Sequence, residues 1–349
     1  MKELQVTSQD AKQRLDKYLK RVFPQMGSSF LYKMLRKKNI TLNGKKATGS
    51  EQVVSGDLVQ CFFSDETFDK FAGAIKSAPV GNQPKDDSYN TRNGVSNQDF
   101  CWEYKKAYEE LKGITVIYED EHILLLNKPA GILSQKAKPD DVSLNEWMIG
   151  YLLQKEIVTE DSLMRFKPSV CNRLDRNTSG LVICGKTLVG SREMSRILKD
   201  RSLQKIYRTY VHGKMEGAET LIAYHTKDKK NNQAEICFAV SELNPKAYDE
   251  IVTAYRCMEA KETYSYLEIE LITGKTHQIR AHLSAYGHPI VGDSKYGQKR
   301  NEKNYPKHQL LHAYRIVFPK LDGDLAQLSN KEFVCREPNT FRQFKNNYF

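Results

Sequence analysis

Leu15, Tyr18, Leu19 and Val22 recur at the i, i+3, i+4, i+7 spacing of an amphipathic helix, which leaves Lys12, Lys17, Lys20 and Arg21 for its other faces. Ser28 or Ser29 can cap a second helix, with Leu31, Met34 and Leu35 inward and Lys33, Arg36, Lys37 and Lys38 projecting. Ile40 to Leu42 then meets Asn43-Gly44, a turn pair that predicts a hairpin, and Val53 to Phe63 supplies another strand, interrupted at Ser55-Gly56-Asp57. Periodicity is lost after Ser64 and returns near Trp102, where 102–111 reads as a short helix. Thr115 to Tyr118 and Ile123 to Leu126 form a predicted hairpin, and residues 143–154 a helix with Leu144, Trp147, Met148, Tyr151 and Leu152 on one side. Leu181 to Cys184, bounded by Gly180 and Gly185, predicts a buried strand, and Leu188 to Leu198 a helix. Two alternating stretches follow. Lys205, Tyr207, Thr209 and Val211 share one strand face, and Leu267, Ile269 and Leu271 another, ahead of a helix with His277, Arg280 and Ser284 on neighbouring turns. Strands and hairpins outnumber clean strand-helix-strand crossovers. The expected fold class is therefore α+β, with a mixed, mainly antiparallel central sheet flanked by helices, plus a small α/β domain.

At 349 residues the chain has room for two domains. The patterns place one at 1–63, a flexible linker at 64–112 and a larger domain at 113–349; within the linker, 76–99 is rich in Asn, Ser, Asp, Pro and Gly. Charge is distributed unevenly. The formal excess is +11, from 54 basic and 43 acidic residues, and the first 63 residues hold 12 Lys and Arg against 5 Asp and Glu. Such crowding suits a phosphate-contacting module, with Arg14, Lys17, Lys33, Arg36, Lys37 and Lys38 as its candidate contacts. A small helix-hairpin domain with a solvated basic face is the plain alternative. No stretch approaches the roughly 18 apolar residues of a membrane span, and the opening residues do not form a signal peptide. Seven cysteines without a Cys-x-x-Cys pair argue for reduced thiols, so a cytoplasmic monomer that contacts no membrane is expected.

The chemistry concentrates at Cys171 to Lys186, where a turn-forming run places Asp175 between Arg173 and Arg176 at a strand end. Guanidinium groups nearby would hold a carboxylate ionised. An ionised Asp can serve as nucleophile or base; equally, Asp in such a loop can be an ordinary Asx-turn or helix cap. Tyr207 on its strand can be core packing. His277, His282 and His288 match no zinc spacing and lack accompanying carboxylates, so no metal is expected. No glycine run forms a phosphate loop or a dinucleotide fingerprint, in keeping with a cofactor-free protein.

Arg173-Leu174-Asp175 with Thr178-Ser179-Gly180-Leu181 resembles the His-Arg-Leu-Asp-x-x-Thr-Ser-Gly signature of RluA-type pseudouridine synthases. Lys205-Ile206-Tyr207 is similar to that family's Lys-x-Tyr motif. The run Gly274 to Leu283, continued through Gly287 to Asp293 and Tyr296-Gly297, is similar to its third motif, and Lys128-Pro129-Ala130-Gly131 to its first. Asn172 stands where His is usual, Lys275 where Arg is common, and Gln135 where His is frequent. The stretch 12–63, opening on Arg14-Leu15-Asp16, resembles the S-four-like RNA-binding module often fused to these enzymes.

The resemblance implies the pseudouridine synthase fold and isomerisation of uridine within RNA, ribosomal RNA being favoured over transfer RNA. It also implies Asp175 as the catalytic carboxylate, Arg280 as its partner and Tyr207 as the aromatic floor of the uracil pocket. Arg173 would fill the space of the flipped base, Lys205 would contact phosphate, and Thr178 would belong to the substrate loop. Two rivals remain: a noncatalytic RNA-binding or ribosome-assembly factor on the same scaffold, and a glycosylase in which Asp175 activates water.

Overall fold

A strand with no polar side must be covered on both faces, and the apolar runs Ile123–Leu126 and Leu181–Cys184 are neighbours toward one end of the larger sheet. In this computed structural model the two pair antiparallel, Val182 opposite Leu126 and Cys184 opposite Leu124. Their side chains alternate: Leu124, Leu126, Val182 and Cys184 join one core, and Ile123, Leu125, Leu181 and Ile183 the core on the opposite face.

The structure describes residues 2–7, 10–64, 67–68, 71, 101–228, 233–238, 248–297 and 305–349. The chain divides into two units, Met1–Gly94 and Val95–Phe349. The predicted linker segment 76–99 lies outside the described residues. No helix among those described is long and apolar enough to cross a membrane.

The first unit runs β1 (Lys2–Gln5), β2 (Gln13–Arg14), α1 (Leu15–Val22), α2 (Ser28–Arg36), β3 (Ile40–Leu42), β4 (Lys45–Lys46), β5 (Gln52–Val53) and β6 (Leu58–Cys61). Its sheet has the order β1-β6-β3-β4, with β2 paired to β5. Leu15, Leu19, Leu31 and Leu35 are fully buried from the two helices, as their spacing predicts. Asn43 and Gly44 both take positive φ, 50° and 73°, the conformation an Asn-Gly hairpin turn requires. The edge strand β1 has no counterpart in the sequence reading; its four residues carry too little alternation to register.

The second unit runs α3 (Trp102–Glu110), β7 (Thr115–Glu119), β8 (Ile123–Lys128), α4 (Leu144–Gln154), α5 (Glu160–Arg165), β9 (Ser169–Val170), β10 (Ser179–Gly185), α6 (Leu188–Lys199), β11 (Gln204–His212), β12 (Ala218–Asp228), β13 (Gln233–Cys237), β14 (Asp249–Ala260), β15 (Tyr264–Leu271), α7 (Gln278–Ala285), β16 (Leu311–Val317), β17 (Glu332–Val334) and α8 (Asn339–Tyr348). Nine strands form the path β13-β12-β14-β15-β11-β16-β10-β8-β7, with β17 on β16 and β9 on β10. Pairing is antiparallel except between β10 and β16, so the sheet is mixed and mainly antiparallel, as expected. The parallel contact depends on Gly180: its φ is +112°, and a Cβ there would lie 2.2 Å from the Ala313 carbonyl oxygen.

The helix expected at 102–111 is present as α3, whose Tyr104 and Ala107 are buried and whose Tyr108 packs 5.5 Å from Trp147 of α4. One expectation is corrected. The helix predicted to include His277 begins at Gln278, because His277 takes a left-handed backbone, φ 55°. Beyond Phe318, where the sequence predicted no element, lie β17 and α8; Phe341 and Phe344 of α8 are buried beside Tyr210, at 5.7 and 5.0 Å.

Candidate active site

The loop between β9 and β10 is tied down on every side before any side chain acts. Asn172 accepts the Ile183 N–H at 2.7 Å, Ser134 Oγ donates to the Leu174 carbonyl at 2.8 Å, and Thr178 N–H closes the turn onto the Asp175 carbonyl at 3.0 Å. Beneath it, the ammonium of the fully buried Lys128 donates to the carbonyls of Pro129, Ile132 and Arg176 at 3.0, 2.8 and 3.0 Å. Three acceptors match the three N–H bonds of an ammonium. Burial nevertheless pulls Lys128 down to about 7, with nearby Asp175 pulling the other way.

Asp175 is presented by this loop to α7. Arg280 Nη1 donates to its Oδ2 at 2.8 Å, while the other edge of the guanidinium is fixed by Asp293, Nε to Oδ2 at 2.7 Å and Nη2 to Oδ1 at 2.9 Å. Asp293 is held in turn by the backbone N–H groups of Lys295 and Tyr296. Burial alone would lower Arg280; the two carboxylates outweigh it and raise it further above its ordinary value. Burial would raise Asp293, but Arg280 and those N–H bonds hold it below the usual carboxylate range. A planar fork bonded on both edges cannot turn, so Arg280 fixes the direction of Asp175 Oδ2. His277 Nε2 stands 3.9 Å from the other oxygen, Oδ1.

Tyr207, on β11 opposite Ala313, lines the same pocket as Asp175, Arg280 and Leu311. It is buried, and desolvation followed by the charge of Asp175 raises its phenol well above normal, so the neutral O–H form persists. Outside the pocket opens a groove of about 770 Å³, bordered by Arg173, Arg176, Arg201, Lys205 and Lys275. Burial, then the neighbouring Arg201, lowers Lys205.

The expected Asp175, Tyr207 and Arg280 are therefore together, with Arg173 and Lys205 on the adjoining groove. Thr178 is turned inward, its Oγ1 accepting from Gln309 at 3.3 Å. The local expectation of Arg173 and Arg176 flanking the carboxylate is corrected: both side chains are exposed, and the paired guanidinium comes from Arg280, 105 residues away. Asp293, Lys128, Arg201 and Tyr296 had no role assigned from the sequence. Asp293 and Tyr296 stood inside the third motif and Lys128 inside the first; nothing local distinguished Arg201. On the first unit Lys17, Lys33, Arg36, Lys37 and Lys38 are exposed, and Arg14 is bonded to Asp16 at 3.1 Å.

The sheet brings a loop carboxylate, a helix arginine and a strand tyrosine into one cleft, and the family model for RNA pseudouridylate synthase matches residues 122–285. A ribosomal large subunit pseudouridine synthase C from Rickettsia bellii is 31% identical over 310 residues, covering 88% of this chain and 90% of its own. An RNA pseudouridine synthase from Mycoplasma genitalium is 29% identical over 322 residues, 91% of this chain and 89% of its own. The solved structure of human RNA pseudouridylate synthase domain containing 4 shares the fold, with TM-score 0.52 at 19% identity, over 68% of this chain and 93% of that one. The chain belongs to the RluA-type family of RNA pseudouridine synthases, and is an isomerase.

Proposed function

We propose that the protein isomerises a defined uridine in large-subunit ribosomal RNA, with Asp175 as the catalytic carboxylate. One observation carries the reading: Asp175 has one oxygen gripped by a doubly anchored Arg280 and lines a pocket that opens on a cationic groove. Base chemistry in structured RNA requires the nucleotide to be flipped out, at about a few kcal/mol. The groove's cations bind the backbone, and Arg173, exposed at its rim, fills the stack left by the base. Asp175 then assists cleavage of the bond between ribose and the ring nitrogen, the base turns within the pocket, carbon five is joined to the ribose, and the hydrogen of carbon five is released to solvent while the freed ring nitrogen takes up a proton. Tyr207, held neutral, packs on the uracil and offers its O–H rather than a phenolate. Lys205 meets phosphate, and Thr178 serves the substrate by closing the Asp175 turn.

The amino-terminal unit is an RNA-binding module that adds affinity through Arg14, Lys17, Lys33, Arg36, Lys37 and Lys38. The name of the Rickettsia relative supports a ribosomal target. The test is a pseudouridine map, by carbodiimide and reverse transcription, of RNA from cells with the wild-type protein, without it, and with Asp175→Asn. A stop in large-subunit RNA lost in both altered strains is expected. A stop in transfer RNA instead would reject the ribosomal target, and maps unchanged in both would reject the site reading.

A further inference from the structure

His277 is the one residue of the pocket whose backbone is strained, a non-glycine at φ 55° immediately before α7. Its ring is held by a chain that begins outside the four motifs. The backbone N–H of Ala234 on β13 donates to Tyr296 Oη at 2.8 Å, and Tyr296 Oη lies 2.9 Å from His277 Nδ1. A phenol that receives an N–H still has its own proton to give, and Nδ1 is the acceptor in reach. A neutral imidazole that accepts at Nδ1 carries its hydrogen on Nε2. Burial, against the pull of Asp175, lowers His277 below an ordinary imidazole and so favours that neutral form. Nε2 faces Asp175 Oδ1, the oxygen that Arg280 leaves unbonded, at 3.9 Å. This is beyond hydrogen-bond length, and catalytic contacts of this kind commonly tighten when substrate binds.

We propose that His277 is a positioning residue for Asp175: Tyr296 fixes it as the Nε2–H tautomer, and with RNA bound it donates to Oδ1, completing with Arg280 a two-sided grip on the carboxylate. The oxygen keeps its second lone pair for the reaction. This rests on the reading of Asp175 as the catalytic carboxylate.

The substrate for the test is total RNA labelled with [5-³H]uridine, from cells lacking the protein; isomerisation releases the tritium of carbon five. Single-turnover release and RNA affinity by filter binding are compared for two variants. His277→Gln restores an N–H near the Nε2 position, whereas His277→Asn suits the left-handed backbone better but cannot reach. The expected loss is about 30-fold in rate for Asn and about 3-fold for Gln, with affinity unchanged for both. Tyr296→Phe, which frees the tautomer, should slow the wild type about fivefold and His277→Gln not at all. Asn equal to or faster than Gln, or an equal Tyr296→Phe effect in both backgrounds, would overturn the proposal while wild-type release leaves the synthase reading standing. No release from wild type would instead remove the reading on which the proposal rests.

Discussion

Arg36, Lys37 and Lys38 at the end of α2 stand in water, whereas Arg280 on α7 is buried with both guanidinium edges bonded to carboxylates. The same charge does different work in the two places. An exposed cation can follow a phosphate wherever the RNA puts it, and its contribution is screened by salt and roughly additive. A buried one has been desolvated in advance and can only point, so its value lies in what it orients and its loss leaves an opposite charge unpaired. One unit should therefore affect how tightly RNA is held, and the pocket whether anything happens to it.

The sharpest break of that contrast is Asp175→Asn, which keeps the shape and removes the charge. Turnover should fall by roughly 10⁴-fold or more, with RNA affinity and melting temperature nearly unchanged. A variant that still releases tritium from carbon five at even a tenth of the wild-type rate would show that the reaction does not run through this carboxylate. Asp293→Ala is next. Asp293 is fully enclosed, and its removal strands the Arg280 guanidinium, so unfolding should become easier by about 3–5 kcal/mol. Asp175→Ala should cost far less in a thermal melt, because Arg280 keeps Asp293. Equal losses for the two would mean that the pair does not anchor the arginine.

These two aspartates also mark how far the residues alone could be read. Asp175 was legible because turn chemistry and an apolar strand meet there, and because the spaced motifs resemble a family. Asp293 sat inside the third motif, yet its meaning depends on burial against Arg280, and no local pattern encodes burial of a loop acid. The strands β8 and β10 were legible as apolar runs, and the helices α1, α2, α4 and α6 from periodicity. The long strands β12 and β14 were not identified: both mix apolar and charged residues, as in Glu219-Thr220-Leu221-Ile222 and Arg256-Cys257-Met258-Glu259. In α8 the signal was present, Phe341, Phe344 and Tyr348 at i, i+3 and i+7, but no helix was expected there. His277 failed for a different reason. Its residue type suits a helix well enough, and only the backbone before α7 removes it.

The basic face gives a smaller effect in the other coordinate. Replacing Lys33, Lys37 and Lys38 together with Gln should weaken RNA binding about tenfold at moderate salt and flatten the log K against log salt slope by about 2 to 3. Turnover at saturating RNA should be unchanged. A drop in saturated turnover with an unaltered salt slope would contradict the division of labour.

Lys128 tests the comparison from its other side, as a buried cation bonded only to carbonyls. Its folded-state value is pulled to about 7 from an ordinary 10.5. Between those two values the unfolded chain binds the proton and the folded chain sheds it, so folding stability contributed by this group rises with pH across that window. Below about 7 both states are protonated and the contribution is flat. The slope within the window approaches about 1.4 kcal/mol per pH unit at most. Denaturant melts of wild type and Lys128→Met at pH 7 to 10 isolate it as a difference, since other groups titrate alike in both. A difference curve rising with pH means that the ammonium is held at a desolvation cost which the three carbonyls do not fully offset. A flat curve means that the carbonyls and Asp175 together keep Lys128 charged throughout, in which case it belongs with Arg280 as a permanent buried cation beneath the loop.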